Sequence, residues 1–419
     1  MKSISIIAAT ISGNRGSEAM ATTVIGRIRE KYPDAVYNLF SYYPDADARL
    51  VNKPEIRIFS STPVFLVCVL FPASLAAWCL KKTGLGRLLR FFPEAVRELE
   101  RSSVLVDLAG VSFMDGRAKF LPFNILTIWP AMLLGVPVVK FSQALGPFSG
   151  TLVRLVSRFF LPRCSRIFAR GSETERLLKG LGLGNVASAA DTAFCHEIGD
   201  SVSRENGEYV ADLERTLEGW RREGRKIVGL CPSSVVASKA RNEGRNYPLF
   251  LYRLTDALVR RGFSVLLFPN ATRQASAKLR NNDIPVIEDA VRYFAVFSSS
   301  GDNVRCAVRD INTDSIKRLI RLCDVTAVSR FHAMIASLLL GVPPVVMGWG
   351  HKYFEVMESF GLARFVFDYS KSDEEGLAEI IAEACAEREA IGLRIGERLP
   401  ERRSSSYRQF EYVFSLLES

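Results

Sequence analysis

Short apolar, β-branched runs alternate with amphipathic stretches along almost the whole chain, the signature of strands followed by helices in an α/β protein. In the first half the pattern predicts strands over 4–9, 36–40, 104–108, 137–141 and 166–169, with one more short strand over 185–189. Helices are expected over 17–31, 93–100, 152–161 and 173–179. Between 200 and 224 apolar residues thin out and charges accumulate, which reads as a linker carrying a solvent-exposed helix over 210–222. A second alternating series then opens, with strands over 227–230, 263–268, 285–288, 325–329 and 344–347 and helices over 249–260, 313–322 and 333–340. The expected organisation is two doubly wound, Rossmann-like α/β domains, 1–200 and 226–370, joined by a linker over 201–225. A charged helical tail over 371–419, broken at Leu399-Pro400, is suited to pack back on the first domain. Two such domains in series imply an interdomain cleft faced by strand-end loops, and those loops are where functional residues are sought.

One stretch departs from the alternation. No charge occurs from Val64 to Leu80, which includes Phe65, Phe71 and Trp78, and Lys81 and Lys82 follow directly. It is at the short limit for a membrane span, and Pro72 interrupts it. Three readings stand: a buried helix pair, an interfacial element docking on a membrane, and a true span. A second apolar run, 120–139, reads as a core helix followed by a core strand.

Composition narrows the partners. The 419 residues are 48% hydrophobic and 24% charged, enough for two large cores. The formal net charge of +10 suits an anionic ligand or a negatively charged membrane surface. No nucleic acid is expected, because no RNA-binding signature or basic-aromatic alternation occurs. The eight cysteines form no CxxC pair and the chain has three histidines, so neither a metal site nor a disulfide framework is expected. Reduced thiols, and an N-terminal apolar run too short for a signal peptide and broken by Gly13 and Gly16, suit a cytoplasmic protein, one that meets the inner face of the membrane if the apolar stretch docks there.

The candidate chemistry lies at strand ends. Ser329-Arg330-Phe331-His332 falls where a strand gives way to a helix, and Lys352 lies just past the next strand. Two fixed cations and an imidazole at a helix N-terminus suit a small phosphorylated acid. The loop after the first strand, Gly13-Asn14-Arg15-Gly16-Ser17-Glu18, offers glycines for close backbone approach, and Asn14 or Ser17 as an ordinary helix cap. Further loops carry Asp115, Gln143, Arg170 and Asp191. Asp191 reads more readily as a tie between loops than as a ligand. Cys231 has no base beside it in sequence, which argues against a thiolate nucleophile.

Taken in order, Gly13-Asn14-Arg15-Gly16-Ser17-Glu18, Gln143-Ala144-Leu145-Gly146-Pro147, Ala169-Arg170-Gly171-Ser172, Ala190-Asp191-Thr192-Ala193-Phe194, Ser329-Arg330-Phe331-His332 and Lys352 resemble the polysaccharide pyruvyl transferase family. The resemblance implies a GT-B-like fold and transfer of pyruvate from phosphoenolpyruvate to a sugar of a polysaccharide or lipid-linked glycan, as a ketal, with no cofactor. It implies that Arg170, His332 and Lys352 bind phosphoenolpyruvate and that Arg330 assists. Two first-domain loops differ from the family pattern: Gly16-Ser17-Glu18 lacks an acidic pair, and Ala109-Gly110-Val111-Ser112 is poor in glycine. The ketal chemistry needs an acid and a base, for which His332 and Glu18 are the candidates. Asn14, Asp115, Gln143 and Asp191 are the candidates on the acceptor side. A nucleotide-sugar glycosyltransferase on the same architecture and a non-catalytic relative are the other readings.

Overall fold

A computed structural model of the chain describes residues 2–203, 206–273, 281–297, 302–348, 350–370 and 373–419. The chain divides into two compact units, one formed by Met1–Ile11, Ser17–Val202 and Arg402–Ser419, the other by Ser12–Gly16 and Ser203–Glu401.

The first unit contains β1 (Ser3–Ile7), β2 (Val36–Ser41), β3 (Ile56–Ser60), β4 (Val104–Asp107), β5 (Val111–Ser112), β6 (Val138–Leu145), β7 (Arg166–Arg170) and β8 (Val186–Ala189). They pair in parallel in the order β3-β2-β1-β4-β6-β7-β8, with β5 hydrogen-bonded to β6. The strands of β1, β4 and β6 are buried almost throughout, which is why they read as continuous apolar runs rather than as alternation. Helices cover the sheet, and the last helix returns to it: Phe410 packs edge-on against Phe141 at 5.4 Å, and the Tyr412 hydroxyl donates to the Ser165 carbonyl.

The second unit contains β9 (Lys226–Cys231), β10 (Phe263–Leu267), β11 (Val304–Cys306), β12 (Val325–Val328), β13 (Pro344–Met347) and β14 (Val366–Phe367), all parallel in the order β11-β10-β9-β12-β13-β14. In both sheets the strand order reverses beside the first strand of the unit, so each has a switch point where neighbouring loops part.

Four sequence expectations need correction. The strand expected over 285–288 is the start of the helix Ile284–Phe297. Pro285 suits a first helical turn, and Ile287 and Ala290 are buried three residues apart, a helical spacing. The strand at that edge of the sheet is β11 instead. The linker over 201–225 is not a linker. Its helix, Gly207–Arg222, buries Val210, Leu213, Leu217 and Trp220 on one face of the second unit. The tail over 371–419 is shared: the helix Glu374–Ala386 belongs to the second unit, with Glu375 held by Arg260 and Arg261, and only Arg402–Ser419 joins the first. The last helix, Arg388–Glu418, runs through Pro400 without ending there.

The apolar stretch forms one helix, Pro63–Lys82, among the described residues the one long and apolar enough to cross a membrane. It passes Pro72 by widening into a π turn over Leu66–Leu70, which makes room for a ring that would clash in a regular turn. Leu66, Leu70, Ser74 and Ala77 are buried against the first unit, so the helix lies along its surface.

Cysteine exposure yields a direct check of this packing. Cys68 and Cys79, on the outer face of that helix, are exposed, whereas Cys164, Cys195, Cys231, Cys323 and Cys385 are buried. Burial raises the thiol of Cys164 to about 12 and that of Cys306 to about 12, so the nucleophilic thiolate is scarce at neutral pH. A disulfide reagent at pH 8 is expected to titrate two thiols quickly in the native chain and the other six only on denaturation. Fast reaction of more than two would contradict the packing.

Candidate functional site

The rim of the second sheet is organised by one carboxylate that the sequence does not single out. Asp283, fully buried just before the helix Ile284–Phe297, accepts from the backbone N–H of Ser234 (2.8 Å), Asn270 (3.2 Å) and Ala271 (2.9 Å). It also holds Arg330 in a bidentate pair, through Nε at 3.0 Å and through the Nη2 group. Loops after β9, β10 and β12 are thereby tied to one point. Burial on its own would lower the Arg330 pKa, but the adjacent Asp283 outweighs it and raises it, so this arginine stays charged. Its charge is already matched by Asp283, and Arg330 therefore positions the loop that carries His332 rather than presenting an unmatched cation.

His332 lies in the first turn of the helix Phe331–Leu339, directly after β12 at the switch point, where the cap residue Arg330 makes no side-chain capping bond. Lys352 lies in the first turn of the next helix, His351–Ser359, whose cap Gly350 is likewise bare. Phe331 brings the two together. Its ring meets the imidazole edge-on at 5.4 Å, and the Lys352 ammonium sits 5.1 Å above the same ring. Tyr353 closes the cluster, 5.6 Å from Phe331, with its hydroxyl on the Ser329 carbonyl. A cation and an imidazole, separated by twenty residues in sequence, thus share one aromatic support at two helix N-termini that favour anions.

The loop expected on the acceptor side of the first domain is built into the second unit. The Gly13 carbonyl accepts from Thr272 N–H (2.6 Å), the Arg15 N–H donates to the Asn270 carbonyl (3.1 Å), and Asn14 forms an antiparallel bridge with Ala271. Arg15 is buried and donates to Asp310 (3.2 Å) and Thr272 (3.3 Å). Asn14 caps the helix Arg15–Lys31 by accepting from the Gly16 N–H at 3.0 Å. Gly13 takes a positive φ of +83°, but Gly16 does not. Gly16 is required for another reason: a Cβ there would lie 2.0 Å from Nδ1 and 2.4 Å from Cγ of His332. The imidazole lies on the glycine backbone.

The remaining candidates fall in the first unit. Arg170, at the end of β7, donates to Asp191 Oδ2 and to the Gly110 carbonyl, each at 2.7 Å, and Asp191 Oδ1 accepts from the Ala193 N–H. Asp191 ties loops together and balances the Arg170 charge. Gln143 is buried between Ser112 and the Asp107 carbonyl. Asp115 holds the turn that leads into the helix Thr151–Phe160 by accepting from the N–H groups of Ser149 and Gly150. Glu18 has no accessible surface and accepts from Ser201 at 3.2 Å, so a sugar hydroxyl has no route to it in this structure. Under this network lies a fully buried ion pair, Lys140 with Asp107, that strand periodicity did not flag. Cys231, at the end of β9, has its thiol pushed well up by burial and then by Asp283, which removes it as a nucleophile. Among the described residues no group of three histidine, cysteine or acidic side chains is arranged to hold a metal.

Two Rossmann-like parallel sheets in series, with an imidazole and a cation at the rim of the second, give the chain a GT-B-like architecture. The sequence model of the polysaccharide pyruvyl transferase family matches residues 14–351, and the chain belongs to that family. It is 20% identical over 369 residues to the amylovoran biosynthesis protein AmsJ of Erwinia amylovora, covering 85% of each chain. In fold it is similar to an α,α-trehalose-phosphate synthase from Burkholderia vietnamiensis, with a TM-score of 0.55, 13% identity and full coverage of both chains. It is equally similar to the UDP-GlcNAc 2-epimerase of Neisseria meningitidis, with a TM-score of 0.55, 11% identity and full coverage of both chains.

Proposed function

We propose that the protein transfers the pyruvyl group of phosphoenolpyruvate to a sugar of an exopolysaccharide or its lipid-linked precursor, forming a ketal across two hydroxyls. The observation that carries this reading is the His332–Phe331–Lys352 cluster at the switch point of the second sheet. Phosphoenolpyruvate carries a carboxylate and a phosphate, and an ammonium and two uncapped helix N-termini supply charge and donors for both. Protonated His332 gives its proton to the methylene carbon, C3, which makes C2 cationic. A sugar hydroxyl adds to C2 and the bond from C2 to the phosphate oxygen breaks. The second hydroxyl closes the ketal. Of the two hydroxyl protons, one restores His332 and the other leaves with phosphate, so the histidine serves as acid and then as base. Lys352 offsets the charge that builds on the departing phosphate. This leaves Glu18 as a structural carboxylate.

Replacing His332→Ala is expected to lower turnover about 10²- to 10⁴-fold, the usual worth of a general acid. Lys352→Ala is expected to cost about tenfold to hundredfold, mostly in KM for phosphoenolpyruvate, as befits one charge-assisted contact. The assay is phosphate release in the presence of a glycan acceptor. Wild-type turnover in both variants would sink the assignment. Phosphoenolpyruvate should also raise the melting temperature; stabilisation by a nucleotide sugar instead would move the reading to glycosyl transfer.

A further inference from the structure

The first unit presents apolar surface where a monomeric domain would place polar residues. In the helix Pro63–Lys82 the buried face is matched by an outer face of Val64, Val67, Leu75 and Trp78, with Val64 73% exposed. The helix Thr151–Phe160 repeats the arrangement. It buries Val153, Ser157 and Phe160 and exposes Leu152, Leu155 and Phe159, so both of its faces are apolar where a surface helix normally has one. These helices are distant in sequence but share one aromatic seam: Phe71 packs on Trp129 at 4.7 Å, and Trp129 packs on Phe160 at 5.3 Å. The turn after the first helix adds Leu85, Leu88 and Phe91, the last 71% exposed.

Within these segments the charges have one sign, with acidic groups only at their margins, where Asp115 meets the start of the second helix and Glu100 pairs with Lys81 at the end of the first. No aspartate or glutamate occurs between Glu55 and Glu94, nor between Asp115 and Glu173. Exposed Lys82 ends the first helix and exposed Arg87 and Arg90 follow it, while exposed Arg154 and Arg158 lie on the second and exposed Arg163 in the turn after it. The Arg163 guanidinium lies 3.8 Å from the centre of the exposed Phe159 ring, so a cation and an apolar side chain project together. A second copy of the chain would set these cations against one another. A partner protein would need an acidic rim around an apolar centre. An anionic bilayer meets both requirements, with acyl chains for the apolar side chains and phosphate headgroups for the cations.

We propose that the helices Pro63–Lys82 and Thr151–Phe160 form a single two-helix surface that docks in the plane of an anionic phospholipid bilayer. Both helices remain packed on the domain and only their outer faces enter the interface. The inference does not depend on the donor chemistry.

The test is flotation of the full chain with vesicles rich in phosphatidylglycerol and, separately, with phosphatidylcholine vesicles. Binding to the anionic vesicles is expected to weaken as salt is raised and to exceed binding to the neutral ones. A Leu155→Gln/Phe159→Gln variant, altered only on the second helix, is expected to partition at least about tenfold more weakly while keeping its melting temperature. Vesicles should also slow the reaction of Cys68 and Cys79 with a thiol reagent. Absence of flotation, equal binding to both lipids, or full binding by the second-helix variant would each overturn the proposal. So would shielding of Cys68 and Cys79 by self-association without lipid.

Discussion

Replacing Gly16→Ala is expected to lower turnover at least about hundredfold without unfolding the chain. The added methyl carbon would sit 2.0 Å from Nδ1 of His332, far inside contact distance, so the imidazole must leave its place or the loop must shift. A displacement of about 1 Å at a reacting group is enough for a hundredfold loss. The sign of the stability change separates this cause from a general defect. Gly16 lies in the first turn of a helix without a positive φ, where alanine is ordinarily better by about 0.5–1 kcal/mol. In the wild-type background the crowding should reverse this and cost about 1–3 kcal/mol. In a His332→Ala background the ring is gone, and Gly16→Ala should become neutral or stabilising. Activity and denaturation of the two single variants and the double variant form a complete cycle. Full turnover in Gly16→Ala would mean that the imidazole does not act from the position seen here.

Asp283→Ala is expected to have the largest effect on stability. It removes the carboxylate that pairs with buried Arg330 and strands the N–H groups of Ser234, Asn270 and Ala271. Breaking a buried pair from one side costs about 3–5 kcal/mol, a large share of the roughly 5–15 kcal/mol that holds a domain together. Should the variant fail to fold, Asp283→Asn is the softer probe, since it keeps an acceptor for the backbone donors while losing the charge. Arg330→Ala should cost less than Asp283→Ala, because the remaining carboxylate still has its three backbone donors. The double variant should fall short of the sum of the single ones. A urea midpoint unchanged by Asp283→Ala would refute the carboxylate's role as the tie between the three loops.

The same carboxylate marks where sequence reading stopped. Asp283 precedes Ile284-Pro285-Val286-Ile287, an apolar run short enough to pass for a strand, and its partners lie 47 and 49 residues away in Arg330 and Ser234. Nothing local announces such a contact. His332 and Lys352 were legible because each follows a strong strand signal at a predictable rim. Arg330, read as a ligand on the same grounds, proved to be matched by a partner that position in sequence could not reveal. Glu18 and Asp115 were read from loop position alone. One is sealed from solvent and the other holds the turn before a helix, two outcomes that only side-chain surroundings distinguish. Gly16 was legible as a place of close approach, but not which group approaches.

From the amino-acid order alone came the two alternating α/β series, the strand-end positions of His332 and Lys352 and the uncharged stretch before Lys81, because periodicity and turn chemistry are local and survive in one dimension. Tertiary structure alone decided that Ser12–Gly16 serves the second unit, that Asp283 neutralises Arg330, and that Trp129 joins two apolar helices into one surface. Those are contacts between residues far apart in the chain. Their energies depend on burial and on the identity of the partner, and a sequence pattern carries neither until the backbone has folded.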